Sequence, residues 1–154
     1  MTLLHHARAL ALDLLDLVAP PRCVACGDPY PARLPLCAGC DEHLLPAEDA
    51  PPGVRVPFAH GGPLARAIYR AKYDGDPSVA VALGHLLAAH AELPAARYAW
   101  VVPVPLHGAR LRARGYNQAH ELGRCLARRL GAPLASGLVA CRNATVFSPS
   151  GSAS

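Results

Sequence analysis

Four cysteines carry the most specific chemistry in this sequence. They stand as two pairs, Cys23-Val24-Ala25-Cys26 and Cys37-Ala38-Gly39-Cys40. Two Cys-x-x-Cys pairs can place four thiolates tetrahedrally about one zinc ion, because each tight turn presents both of its sulfurs to one side. Gly27 follows the second cysteine and lets the backbone turn so that N–H groups point at the sulfurs. The spacer between the pairs is short and holds Pro29, Pro31 and Pro35, which suits a ribbon with a brief hairpin. Four sulfurs fill the coordination shell, so zinc here is expected to be structural and not catalytic. A redox dithiol or free thiols are the alternatives, and the lack of a surrounding thioredoxin-like βαβ pattern argues against the first. So small a module has little core of its own, and metal binding would supply folding energy.

A second concentration of chemistry lies between residues 101 and 118. Trp100 to Val102 reads as a buried strand, which Pro103 and Pro105 end because proline cannot donate a ladder hydrogen bond. A loop with Gly108 follows, then Arg110, Arg112 and Arg114 at alternate positions, then Gly115 and the polar pair Asn117-Gln118. Asn117 is a good N-cap for a helix running to about Arg129, with Gly131 placed to close it. Strand, loop and helix in that order make half of a βαβ unit, and ligands of open α/β sheets gather outside the carboxyl ends of the strands. Arginines beside a helix N-terminus suit phosphate, since the guanidinium fork and free N–H groups both favour an anion. Arg124, Arg128 and Arg129 extend the basic segment, opposed only by Glu121. A solvated helix face is the plainer reading of those three.

The elements that must position these residues are mostly helical. Leu3 to Val18 reads as a short amphipathic helix with Leu10, Leu14, Leu17 and Val18 on one face; Asp13 and Asp16 interrupt it too early for a membrane span. Pro20-Pro21 stop it. Pro46 to Pro57 is rich in proline, alanine and acid and carries no period, so it reads as a linker. Phe58-Ala59-His60 is a candidate short strand. Leu64 to Lys72 has helical spacing, with Leu64, Ile68 and Ala71 on one side. Asp76-Pro77 then has the form of an N-cap followed by proline at the first helical position. Val79, Leu83, Leu86, Leu87 and Ala91 form the next apolar stripe, which Pro94 closes. His85, His90, His107 and His120 have no ligand-like spacing and read as surface or satisfied side chains, and Cys125 reads as core.

The chain has 154 residues and a formal charge of +4, a length that fits one domain or a small module plus part of a larger one. No targeting signal is evident. The chain is therefore expected to be cytoplasmic, and six cysteines in a reducing compartment point to metal rather than disulfides.

The run Val-Pro-Val-Pro-Leu-His at 102–107, followed by Arg-Gly-Tyr-Asn-Gln at 114–118, resembles the ComF family. These are phosphoribosyltransferase-like competence proteins of bacteria that also carry an N-terminal four-cysteine zinc ribbon. The resemblance runs from about Leu14 to Thr145. It implies an α/β fold class: an N-terminal zinc ribbon followed by an incomplete type I phosphoribosyltransferase-like (Rossmann-like) domain. The expected organisation is a helix over 1–19, the ribbon over 20–45, a linker over 46–57, the partial phosphoribosyltransferase-like domain over 58–145 and a low-complexity tail over 146–154. By the same resemblance, Lys72, Arg110, Arg114, Gly115, Asn117 and Gln118 would form one wall of a site for phosphoribosyl pyrophosphate or a related sugar phosphate. For Lys72, the chain's single lysine, a solvated helix end is the plainer alternative. The family role implies DNA uptake, with single-stranded DNA and a competence helicase as partners.

Leu138-Val139-Ala140 is a candidate second strand. Arg142 and Thr145 fit the family pattern that follows it, while Ser148 stands where a glutamine belongs. A complete family member needs a later Asp-Asp-x-x-Thr-Thr-Gly segment to seat the 5′-phosphate and ribose, and magnesium is expected only there. These residues contain no such segment, so the chain reads as cut short and catalytically incomplete. The alternative is a zinc-ribbon module that binds single-stranded DNA through its arginine-rich segment without catalysis.

Overall fold

The computed structural model describes residues 16, 20–30, 34–94 and 98–135. The expected helix at 1–19, the candidate strand at 138–140, Arg142, Thr145 and the tail lie outside the described residues, save for Asp16 in the first of these. Among the described residues the helices are, in chain order, α1 (Ala38–Asp41), α2 (Gly62–Tyr73), α3 (Pro77–His90), α4 (Gly108–Arg114) and α5 (Gln118–Leu130).

Their boundaries follow from local chemistry. Pro63 sits in the first turn of α2, where a missing N–H costs nothing. Asp76 caps α3 by accepting from the Ser78 N–H at 2.8 Å, again with proline at the helix start. Asn117 caps α5 through the Ala119 N–H at 3.0 Å, and Gly131 ends it with φ of 63°. The arginine segment expected as a loop is instead α4, which His107 caps by accepting from the Ala109 N–H at 3.3 Å. Gly115, with φ of 81°, then turns the chain sharply into α5.

The core runs through both the cysteine module and the helices. Cys23, Val24, Ala25, Leu36 and Cys40 join Ala67, Ala71, Val79, Ala80, Leu83 and Leu86 in one buried cluster. Helix α3 lies closely on α5 at Gly84, where an added Cβ would come within 2.9 Å of Cys125 Sγ and 3.1 Å of Leu122 Cα. Cys125 is buried there, as its sequence position predicts.

Strand structure is sparse, and here the expectation needs correcting. The described residues are mostly helical and contain isolated bridges rather than a sheet, so no Rossmann-like sheet is shown. Val101 pairs in parallel with Leu134, its N–H donating to Pro133 O and its carbonyl accepting from Ala135 N, both at 2.9 Å. The run expected as a buried strand is largely solvent-facing: Trp100 is 56% and Val102 42% exposed. The prolines that follow stop the ladder after a single pairing. The segment 46–57 is a loop closed at its base, where Pro46 pairs antiparallel with Phe58 and the Ala59 N–H donates to Leu45 O at 2.8 Å.

Candidate functional site

The first cysteine turn is shaped by backbone bonds. Gly27 N–H donates to Cys23 O at 2.8 Å, and Cys23 N–H to Asp28 O at 2.9 Å. Gly27 has φ of 81°, a conformation that favours glycine. The second turn opens α1, with the Cys40 and Asp41 N–H groups donating to Cys37 O. The two turns are joined where the Val24 N–H donates to Pro35 O at 3.0 Å.

These turns bring the sulfurs of Cys23, Cys26, Cys37 and Cys40 within 4.8 Å of one another. Cys26 Sγ lies 3.8 Å from Cys37 Sγ. A tetrahedral zinc site with metal–sulfur bonds of about 2.3 Å has edges of about 3.8 Å, so the donor set fits zinc. The four cysteines are positioned to bind a metal, in the manner of a structural zinc site.

Thiol ionisation is uneven across the cluster. Burial opposes ionisation of Cys23, yet hydrogen bonds involving the backbone at Cys26, Cys37 and Ala25, with the Cys26 thiol, bring it down to about 6. At Cys26 the Asp28 backbone favours the thiolate, but desolvation and the neighbouring Cys23, Asp28 and Cys37 side chains push it up to about 12. Burial and adjoining thiols also raise Cys40. One thiolate is thus sheltered by its neighbours, and a dication is what would let further sulfurs ionise beside it.

A separate cavity of about 330 Å³ is lined by Lys72, Tyr73, Gly75, Arg110, Ala113 and Arg114. The structure therefore brings together three of the cations singled out in the sequence, Lys72, Arg110 and Arg114. The C-terminal turn of α2 and the side of α4 frame it. The N-terminus of α5 does not, so the positive field comes from side chains and must outweigh the negative end of the α2 dipole.

The remaining expected site residues do not line the cavity. Gln118 accepts a hydrogen bond from Arg114 Nη1 and so orients that guanidinium. Asn117 spends its side chain on scaffold: it caps α5 and donates from Nδ2 to Val104 O at 3.1 Å. Gly115 supplies the turn between α4 and α5.

Tyr73 and its neighbour Tyr69 are not among the expected residues. Their rings lie 4.6 Å apart, Tyr69 is 62% and Tyr73 65% exposed, and Arg114 sits over the Tyr73 ring at 5.8 Å. Their spacing of four along a predicted helix is the signal that could have found them. Tyr116 ties the α4–α5 junction to the last turn of α2 and the residues just after it, its hydroxyl facing the carbonyls of Ala71 and Asp76 as donor. Burial foremost raises its pKa, against the nearby Arg114 charge.

Residues 14–61 match the family model of the double zinc ribbon domain. That span holds a single set of four cysteines, and its second closed loop, based on Pro46 and Phe58, contains none. Among curated proteins and among solved structures, nothing matches the chain. No helix among the described residues is long and apolar enough to cross a membrane.

Proposed function

We propose that this chain is a ComF-like protein of the phosphoribosyltransferase family, in which a zinc ribbon supports a pocket for phosphoribosyl pyrophosphate or a related sugar phosphate. The observation that carries this reading is the cavity that gathers Lys72, Arg110 and Arg114. Three cations around one small cavity suit a polyanion, and arginine forks suit phosphate oxygens in particular. The parallel pairing of Val101 with Leu134 across α4 and α5, though an isolated bridge, lends further support, because parallel pairing across intervening helices is the sense a βαβ unit requires. The family role in DNA uptake, at the cytoplasmic side with a helicase, comes with the resemblance. Since the Asp-Asp-x-x-Thr-Thr-Gly segment is absent from these residues, the activity proposed for them is binding, and transfer and magnesium belong to a chain that carries it.

The exposed Tyr69–Tyr73 pair favours a second reading, single-stranded DNA stacked on the tyrosines with its phosphates on the arginines. Calorimetric titration separates the two. Under the first reading, phosphoribosyl pyrophosphate binds saturably and Arg114→Ala weakens it about ten- to a hundredfold, the scale of a lost charged hydrogen bond. A steep salt dependence toward oligo-dT with no sugar-phosphate binding would favour the second.

A further inference from the structure

Arg70 joins parts of the chain that lie 46 and 47 residues apart. Its Nη1 donates to the carbonyls of Cys23 and Val24, each at 3.1 Å. Its Nε donates to Asp74 Oδ2 at 3.1 Å. Cys23 is the first of the four clustered cysteines, and Asp74 directly follows Lys72 and Tyr73, which line the cavity. Tyr116 holds the other side of the same turn through Ala71 and Asp76. The turn that carries Lys72 is thus gripped from the cysteine knuckle on one side and from the α4–α5 junction on the other.

We propose that Arg70 is a positioning residue that couples metal occupancy of the four-cysteine cluster to anion binding in the cavity. The inference rests on the sugar-phosphate reading of that cavity. Metal fixes the knuckle, the knuckle carbonyls fix the guanidinium, and the guanidinium fixes Asp74 and with it Lys72. Coupling of this kind is reciprocal: the anion must raise metal affinity by the factor by which metal raises anion affinity.

The test uses the full chain. Calorimetry gives phosphoribosyl pyrophosphate affinity with and without zinc, and chelator competition gives zinc affinity with and without phosphoribosyl pyrophosphate. The expected result is a common factor of about fivefold or more in both measurements. Asp74→Asn keeps the knuckle contacts, and Arg70→Lys loses the fork. Both should bring the factor close to one while circular dichroism retains the parent helix content. If the zinc-loaded parent binds the sugar phosphate but the variants keep its factor, or the parent shows no factor, the coupling is overturned and the cavity reading stands. If the zinc-loaded parent does not bind it at all, both readings fall.

Discussion

Cys23 and Cys26 show how two identical side chains acquire different chemistry from burial, backbone hydrogen bonds and neighbouring side chains. With Cys23 brought down to about 6 and Cys26 pushed up to about 12, zinc loading at neutral pH must displace protons from the cluster. Zinc affinity should therefore fall as the pH falls, and most steeply once Cys23 itself takes up a proton below about 6. Chelator competition between pH 8 and pH 5 checks this, and a flat profile would contradict it. Replacing Cys37 by alanine removes one of four ligands, so about one zinc per chain should drop toward none by elemental analysis. The cysteine spacing is legible in the sequence because ligand geometry is local. The role of Arg70 is not, because its carbonyl partners at Cys23 and Val24 lie far away along the chain and no motif marks a carbonyl as an acceptor.

Among the elements, the helices are the most legible. Asp76-Pro77, Asn117 and Gly131 mark their ends through caps that act within a few residues. Helix α4 is hidden in the sequence because its arginines show no apolar stripe, and none of its residues is buried. The Trp100–Val102 run looks more strand-like than it is for the converse reason: β-branched residues favour a pleated surface only where neighbours cover it. The α3–α5 contact depends on Gly84. Gly84→Val should cost about 1–3 kcal/mol, because its side chain has no room beside Cys125 and Leu122. Asn117→Ala should cost about 1 kcal/mol through the lost cap. Chemical denaturation measures both, and unchanged midpoints would show that these contacts do not bear on stability.

At the scale of the whole molecule, the cysteine module and the helices share one core. Cys23, Val24 and Leu36 are buried together with Ala67, Val79 and Leu83, so two of the four clustered cysteines, Cys23 and Cys40, belong to the same hydrophobic cluster as α2 and α3. The proline-rich composition of 46–57 suggests instead a ribbon set apart from a later domain. Shared burial is a property of the fold and not of any segment, so composition gives no sign of it. The most direct test is thermal unfolding of the full chain, followed by far-ultraviolet circular dichroism with and without a zinc chelator. Removing zinc is expected to lower the helical transition together with the loss of the metal. Helices that melt at the same temperature after the metal has gone would contradict a shared core.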